Sequence, residues 1–397
     1  MNMIDCFTGI GGFHIAGKEN GIHTICASEI DSYCCKHIDQ NLSLDNVGSI
    51  TDLGVPEQDI SQYTEDDVVP AEITGFSSYS FEDFMEGAAP WPDLITGGFP
   101  CQNVSSANVD DTSGIQGVKS SLYTEQMRLI EEFEPKYACF ENAERLNKRG
   151  LDVILAELNK LGYHAQWETI SATAFGLPHY RHRVYLVAYR SDTAIARHQI
   201  DIFAYAKAVA ESNLDKPFKL PLPSENPQWY LNNAVAEDTK SIKLRTKRIN
   251  ALGNAIIPDI ASAIFKVLML AESEPQACER IVQREASSMS IINNKCYSKT
   301  GITDEMPTRG LLINGELFNT TRCSLLNPSK QKYDGLLSTL IRKDGNNNFT
   351  TKSRLNRPGK LGGLVGDIMK VGADKGGLHP EFCEIFMSYD RNFTLLH

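Results

Sequence analysis

The stretch Asp93–Gln102, DLITGGFPCQ, leaves few choices of fold. The run from Asp93 to Thr96 suits a central strand of an α/β sheet, whose functional groups gather beyond the carboxyl ends of the strands. Gly97 and Gly98 allow a sharp turn or close approach of backbone to a ligand, while Pro100 fixes its own φ and restricts Phe99 to extended conformations. The thiol of Cys101 is thereby delivered in one direction at the functional edge of the sheet. Taken alone, such a Pro-Cys is more often a packed thiol than a reactive one.

A second strand and glycine turn opens the chain. NMIDCF (2–7) runs into Thr8-Gly9-Ile10-Gly11-Gly12 and then into a helical start. This arrangement brings glycines to a cofactor and offers helix amides to an anionic group. The next apolar run, Ile22–Ser28, ends at Glu29, placed to accept two hydrogen bonds from ribose hydroxyls. No GxxxxGK[ST] phosphate loop occurs, so a nucleoside-bearing cofactor is expected rather than ATP.

The alternation continues downstream. SLYTEQMRLIEEF reads as a helix with Tyr123, Met127 and Ile130 on one face and Ser120 or Ser121 as cap. Tyr137–Phe140 reads as a strand that delivers Glu141-Asn142 to the same edge as Cys101. Leu151, Ile154, Leu155, Leu158 and Leu161 follow at helical spacing. Arg181 and Arg183 alternate before a strand from Val184 to Ala188, so both point to one face, as a solvated strand entry or a fork for a carboxylate or base oxygen. Residues 53–92 read as an acidic surface insertion, and 191–247 as a proline-interrupted connection. RINALGNAIIPDIASAIFKVLML gives a Gly-Asn turn and a helix with Ile260, Ile264, Val267 and Leu268 on one side.

Charge is distributed unevenly. The formal net charge is −11, but residues 1–274 carry 22 Lys+Arg against 38 Asp+Glu (−16), and residues 275–397 carry 17 against 12 (+5). A basic segment on an acidic body fits a protein that meets a polyanion through one part of its surface. The ten cysteines show no CxxC pair, so reduced thiols are expected rather than disulfides or a metal site. Without a signal-like N-terminus or a membrane-length apolar run, the expected location is the cytoplasm.

The blocks DCFTGIGGF, SEID, GGFPCQ, ENAERL, GLPHYRHRVYLVA and RINALGNAIIP, in this order, resemble the DNA (cytosine-5) methyltransferases of bacteria and phages. The resemblance covers about residues 3–190 and 248–270. It implies a doubly wound, Rossmann-like α/β fold dependent on S-adenosylmethionine, with a smaller target-recognition lobe. The catalytic and cofactor-binding domain would comprise 1–190 plus 248–272, with 191–247 connecting and 275–397 forming the recognition domain. Cys101 resembles the nucleophile that adds to cytosine C6, Glu141 the acid at N3 and the exocyclic amine, and Arg183 the contact to O2, with Arg181 in support. For the cofactor the resemblance points to Phe7, Gly9, Gly11, Glu29, Ile50, Pro100, Leu122 and Asn254. The implied partner is double-stranded DNA with the target base flipped out of the stack, the loop Asn103–Ser120 closing behind it. A monomer is expected, with a cognate restriction endonuclease as candidate partner.

Several positions depart from the family pattern. An acidic residue usually meets the adenine amine where this chain reads Gly48-Ser49-Ile50, leaving Ser49 or Asp52 for that contact. His179 replaces a usual Gln, and Ala143 a Val. The interval that normally holds the recognition domain, 191–247, is only 57 residues long. Recognition is therefore expected from the basic 275–397 segment, where DGNNNFTTKSRLNRPGK offers side chains that read base edges and phosphates, and whose end, GGLHPEFCEIFMSYDRNFT, resembles recognition regions of phage and bacterial members. The alternatives are an inactive DNA-binding relative and an enzyme acting on RNA.

Overall fold

In the computed structural model the described residues are 1–53, 81–100, 122–281, 285–292, 295–298, 301–302, 306–319, 335–350 and 362–396. Cys101, Gln102 and the loop Asn103–Ser120 lie outside them, as do the candidate cap Ser121, most of the 53–92 insertion and the greater part of DGNNNFTTKSRLNRPGK.

The elements alternate as their periodicity predicts. They run β1 (Asn2–Cys6), α1 (Gly12–Glu19), β2 (His23–Ser28), α2 (Ser32–His37), β3 (Leu94–Gly97), α3 (Tyr123–Phe133), β4 (Tyr137–Ala143), α4 (Leu151–Lys160), β5 (His164–Ser171) and β6 (His182–Tyr189). Helices α5 (Ala204–Ser212), α6 (Pro227–Ala234), α7 (Arg245–Asn254) and α8 (Pro258–Ser273) follow, so 191–247 is more helical than its prolines imply. Here Pro227 opens a helix at its first turn, where its missing N–H costs nothing.

β1 pairs in parallel with β2 on one side and β3 on the other, and β3 with β4. β6 is antiparallel to both β4 and β5. The chain thus leaves β1 in both directions, opening a crevice beyond the carboxyl ends of β1 and β3. Alternate strand residues feed two cores. Met3, Tyr137 and Cys139 pack with Phe13 of α1 and Phe265 of α8. Ile4, Ala138 and Phe140 pack with Met127 and Ile130 of α3 and Ile154 and Leu158 of α4 on the opposite face. Helices on both faces of a mostly parallel sheet make the doubly wound arrangement.

The segment after α8 extends this same sheet. β7 (Glu285–Ile292), β8 (Lys295–Ser298), β9 (Gly301–Ile302), β10 (Arg309–Ile313) and β11 (Glu316–Asn319) bring the order to β9-β8-β7-β11-β10-β5-β6-β4-β3-β1-β2. Antiparallel pairing of Leu311 with Gln166 and Arg309 with Glu168 joins β10 to β5. A buried charge cluster fixes the seam: Arg309 lies 3.1 Å from Glu168 and 2.9 Å from Asp201, and Lys207 lies 2.5 Å from Asp201. Gly310 is required there, because a Cβ would fall 2.3 Å from the Trp167 ring.

Residues 335–350 and helices α9 (Gly363–Val371) and α10 (Pro380–Phe386) pack against the body as well. The contact with α7 is tight, since a Cβ on Gly253 would meet the backbone of Ile341 and Arg342 at 2.4 Å. Among the described residues no single helix is long and apolar enough to cross a membrane.

Candidate active site

Register places the candidate chemistry at one edge of the sheet. Gly97 at the end of β3 is opposite Phe140 of β4, so the next residue of each strand, Gly98 and Glu141, stand side by side. A Cβ on Gly98 would lie 3.2 Å from Glu141 Oε2, so the glycine admits the carboxylate. Asn142 Nδ2 donates to Phe99 O at 3.1 Å, tying the turn before Cys101 onto β4. Pro100 is partly exposed at the last described position of this turn, and the placement of Cys101 lies outside the described residues.

Glu141 is 7% exposed and faces Arg183, whose Nε lies 3.0 Å from Oε1. The pair is close but poorly aligned, and among the described residues Oε1 has no hydrogen-bond partner. Burial pushes the Glu141 carboxyl up, against the opposing pull of Arg183 and Arg181. Such a group is suited to holding a proton and donating it.

Arg181 does different work. It is 1% exposed and donates to Leu340 O and Thr339 Oγ1, both at 3.2 Å, and to Ala255 O. It brackets the β6 entry to the residue after Asn254 and to the 335–350 segment, while burial lowers its guanidinium to about 9. His179 is buried, stacked 4.1 Å from the Phe386 ring and 2.9 Å from Phe386 O, with burial holding it down to about 3. It is a neutral packing group.

The glycine turn after β1 forms a second cluster. Phe7, Gly9 and Gly11 all have positive φ (54°, 59° and 83°), so the turn is left-handed at three positions. A Cβ on Gly11 would meet Leu42 at 2.3 Å, whereas the space where Gly9 would carry one is open. Glu29 Oε2 accepts from Gly9 N at 2.7 Å, and Oε1 from Ile30 N and Asp31 N at 2.9 and 2.8 Å. With about four lone-pair directions on a carboxylate, one remains. The backbone therefore occupies most of the acceptor capacity of Glu29.

Of the other candidates, Ile50 is buried, Leu122 lies half-buried just before α3, and Asn254 is exposed at the end of α7. The Ser49 hydroxyl caps the short helix Ile50–Asp52 and lies 2.7 Å from Thr51 Oγ1. The Asp52 side chain lies outside the described set.

Two residues escaped the sequence reading. Asn46 accepts from Glu29 N at 3.0 Å and donates to Glu29 O at 3.1 Å, fixing that residue from behind. Asp5 is fully buried at the end of β1, accepts from Thr96 Oγ1 at 2.9 Å, and is pushed up to about 7 by burial. The only signal for it was an acidic residue inside an apolar strand.

A mixed sheet whose β1–β4 run parallel with helices on both faces, a glycine turn beside an acid closing the second strand, and a buried acid facing an arginine at the same edge fit a Rossmann-like methyltransferase fold. The model of the C-5 cytosine-specific DNA methylase family matches residues 1–251, well over half of the 397-residue chain, and the chain belongs to that family. It is 40% identical over 132 residues to the type II methyltransferase M.Sau3AI of Staphylococcus aureus, covering 31% of this chain and 30% of that protein. With type II methyltransferase M.HhaI of Haemophilus parahaemolyticus it shares 25% over 203 residues, 50% of this chain and 52% of the relative. With the orphan methyltransferase M.SPRI of Bacillus phage SPR it shares 23% over 254 residues, 61% and 49%. The matches thus span about half or less of these relatives. Among solved structures it is similar to a putative DNA modification methyltransferase encoded within an E. coli prophage, with a TM-score of 0.34, 20% identity, and coverage of 51% of this chain and 48% of that one.

Proposed function

We propose that this protein methylates C5 of cytosine in duplex DNA, using S-adenosylmethionine. The observation that carries the reading is Glu141: a buried carboxyl with raised proton affinity, on β4 beside Arg183 and beside Gly98 of the turn that leads from β3 to Pro100. The residues of the glycine turn fit a nucleoside-bearing cofactor, since the space over Gly9 is open and Glu29 Oε2 keeps a lone pair for a ribose hydroxyl. Phe7, Gly9, Gly11, Glu29, Ile50, Pro100 and Leu122 would hold the nucleoside end and Asn254 the methionine end. The cofactor, when bound, supplies an electrophilic methyl group.

The chain's own groups do the rest. The Cys101 thiolate adds to C6 of the flipped-out cytosine, making C5 nucleophilic. A free thiol near pKa ~8.5 is only slightly ionised at neutral pH, so a nearby cation such as Arg183 would favour the thiolate. Protonated Glu141 donates to N3 as negative charge develops there, and Arg183 orients the carboxyl and reaches O2. Loss of the C5 proton and departure of Cys101 then restore the aromatic ring. Target recognition falls to the basic 275–397 segment. Because relatives carry both type II and orphan names, a cognate endonuclease is a candidate partner rather than a requirement.

Duplex DNA bearing 5-fluorocytosine tests this directly. With S-adenosylmethionine it should yield a covalent adduct that Cys101→Ala abolishes. Transfer of labelled methyl to RNA but to no duplex DNA would overturn the substrate assignment, and an adduct surviving Cys101→Ala would remove the thiol from its role.

A further inference from the structure

The segment Tyr389–Leu396 is far in sequence from the glycine turn but lies between the two flanks of the candidate cofactor site. On one flank it holds α2. Tyr33 Oη donates to Thr394 O, Asn41 Nδ2 donates to Phe393 O at 2.8 Å and Leu395 O at 3.0 Å, and the His37 ring stands edge-on to Phe393 at 4.8 Å. Asp31 caps this helix, and its own N–H is one of the donors to Glu29 Oε1. Movement of α2 therefore moves the backbone that aims Glu29.

On the other flank the segment holds α7, which ends at Asn254, and residues on either side of it. Arg248 Nε donates to Thr394 Oγ1 at 3.0 Å, Lys243 Nζ to Leu396 O at 2.8 Å, and Tyr389 Oη to Ile256 O at 3.0 Å. Glu384 knots the segment to α7. It is fully buried and accepts from Arg248 Nη2 at 2.8 Å, Asn392 N at 2.6 Å, Thr394 N at 3.0 Å and Thr394 Oγ1. Thr394 touches both flanks, its carbonyl receiving Tyr33 and its hydroxyl receiving Arg248.

We propose that Tyr389–Leu396 is a strap that sets the spacing between the Glu29 and Asn254 sides of the cofactor site, with Tyr33 and Thr394 as positioning residues. This rests on the S-adenosylmethionine reading above. The strap touches no reacting atom, so it acts on cofactor affinity and leaves turnover at saturation alone.

The test is binding of S-adenosylhomocysteine to the full chain by calorimetry, with steady-state kinetics on duplex DNA beside it. Tyr33→Phe and Thr394→Val should each weaken binding about tenfold, ~1.4 kcal/mol, and raise KM for S-adenosylmethionine with kcat unchanged. Thr394→Ser, which keeps the hydroxyl, should bind as the wild type does. Variants that melt earlier yet bind S-adenosylhomocysteine with wild-type affinity would overturn the strap as a positioning device. No binding by the wild-type chain would overturn the methyltransferase reading, and the strap proposal with it.

Discussion

Two buried glutamates, each facing an arginine, differ in how completely they are satisfied. Glu384 and Arg248 are 136 residues apart in sequence, and both Glu384 oxygens are engaged, Oε1 by Arg248 and Thr394 and Oε2 by the backbone of Asn392. Glu141 and Arg183 lie 3.0 Å apart, but among the described residues Oε1 has no aligned donor, and burial raises the proton affinity of the carboxyl. A finished network specifies structure, whereas an unfinished one in a cleft leaves capacity for a substrate. The contrast separates what holds this molecule together from what is available for chemistry.

Removing each acid in turn tests that separation. Glu141→Gln should lower the methyl-transfer rate by about 10²–10⁴-fold, the range for a general acid, without lowering the melting temperature at pH 8. The native carboxyl has a raised pKa, so the native state holds a proton that the unfolded chain releases, and stability is lost as pH rises above the unfolded value. Glutamine removes that loss. A fall in stability as large as the fall in rate would make Glu141 a structural acid like Glu384. Conversely, Glu384→Ala should cost about 3–5 kcal/mol in urea unfolding, because Arg248 is left buried without its partner. A variant with unchanged stability would break the comparison from the other side.

Asp5 sharpens it further. With its carboxyl pushed up to about 7 from 3.8, native stability should fall as pH rises through that interval and level off above it. Asp5→Asn should flatten this dependence by up to a few kcal/mol, at roughly 1.4 kcal/mol for each tenfold change in proton affinity. The measurement is urea unfolding at pH 4, 6 and 8, and an identical slope in wild type and variant would show that Asp5 does not titrate there.

Much of the body was legible because its signals are local. β1, β3, β4 and α4 follow from apolar runs and helical spacing, and the placement of Glu141 beside Gly98 follows from parallel register. Phe7, Gly9 and Gly11 were legible as a turn. The reduced capacity of Glu29 was not, since it depends on where three backbone amides point. The sheet extension was also hidden: Leu311 finds Gln166 across 145 residues, and its strands are short. Nor does sequence order reveal that Arg181, read as support for the site, reaches it through Ala255 and Leu340.

The continuation of the sheet from β5 into β10 and β11 bears on engineering. Exchanging all of 275–397 for the corresponding part of a relative would cut the Arg309–Glu168–Asp201 seam and remove the Tyr389–Leu396 strap. A graft placed after α8 should therefore keep Arg309 and the Tyr389–Leu396 segment, which tie it to β5 and α7.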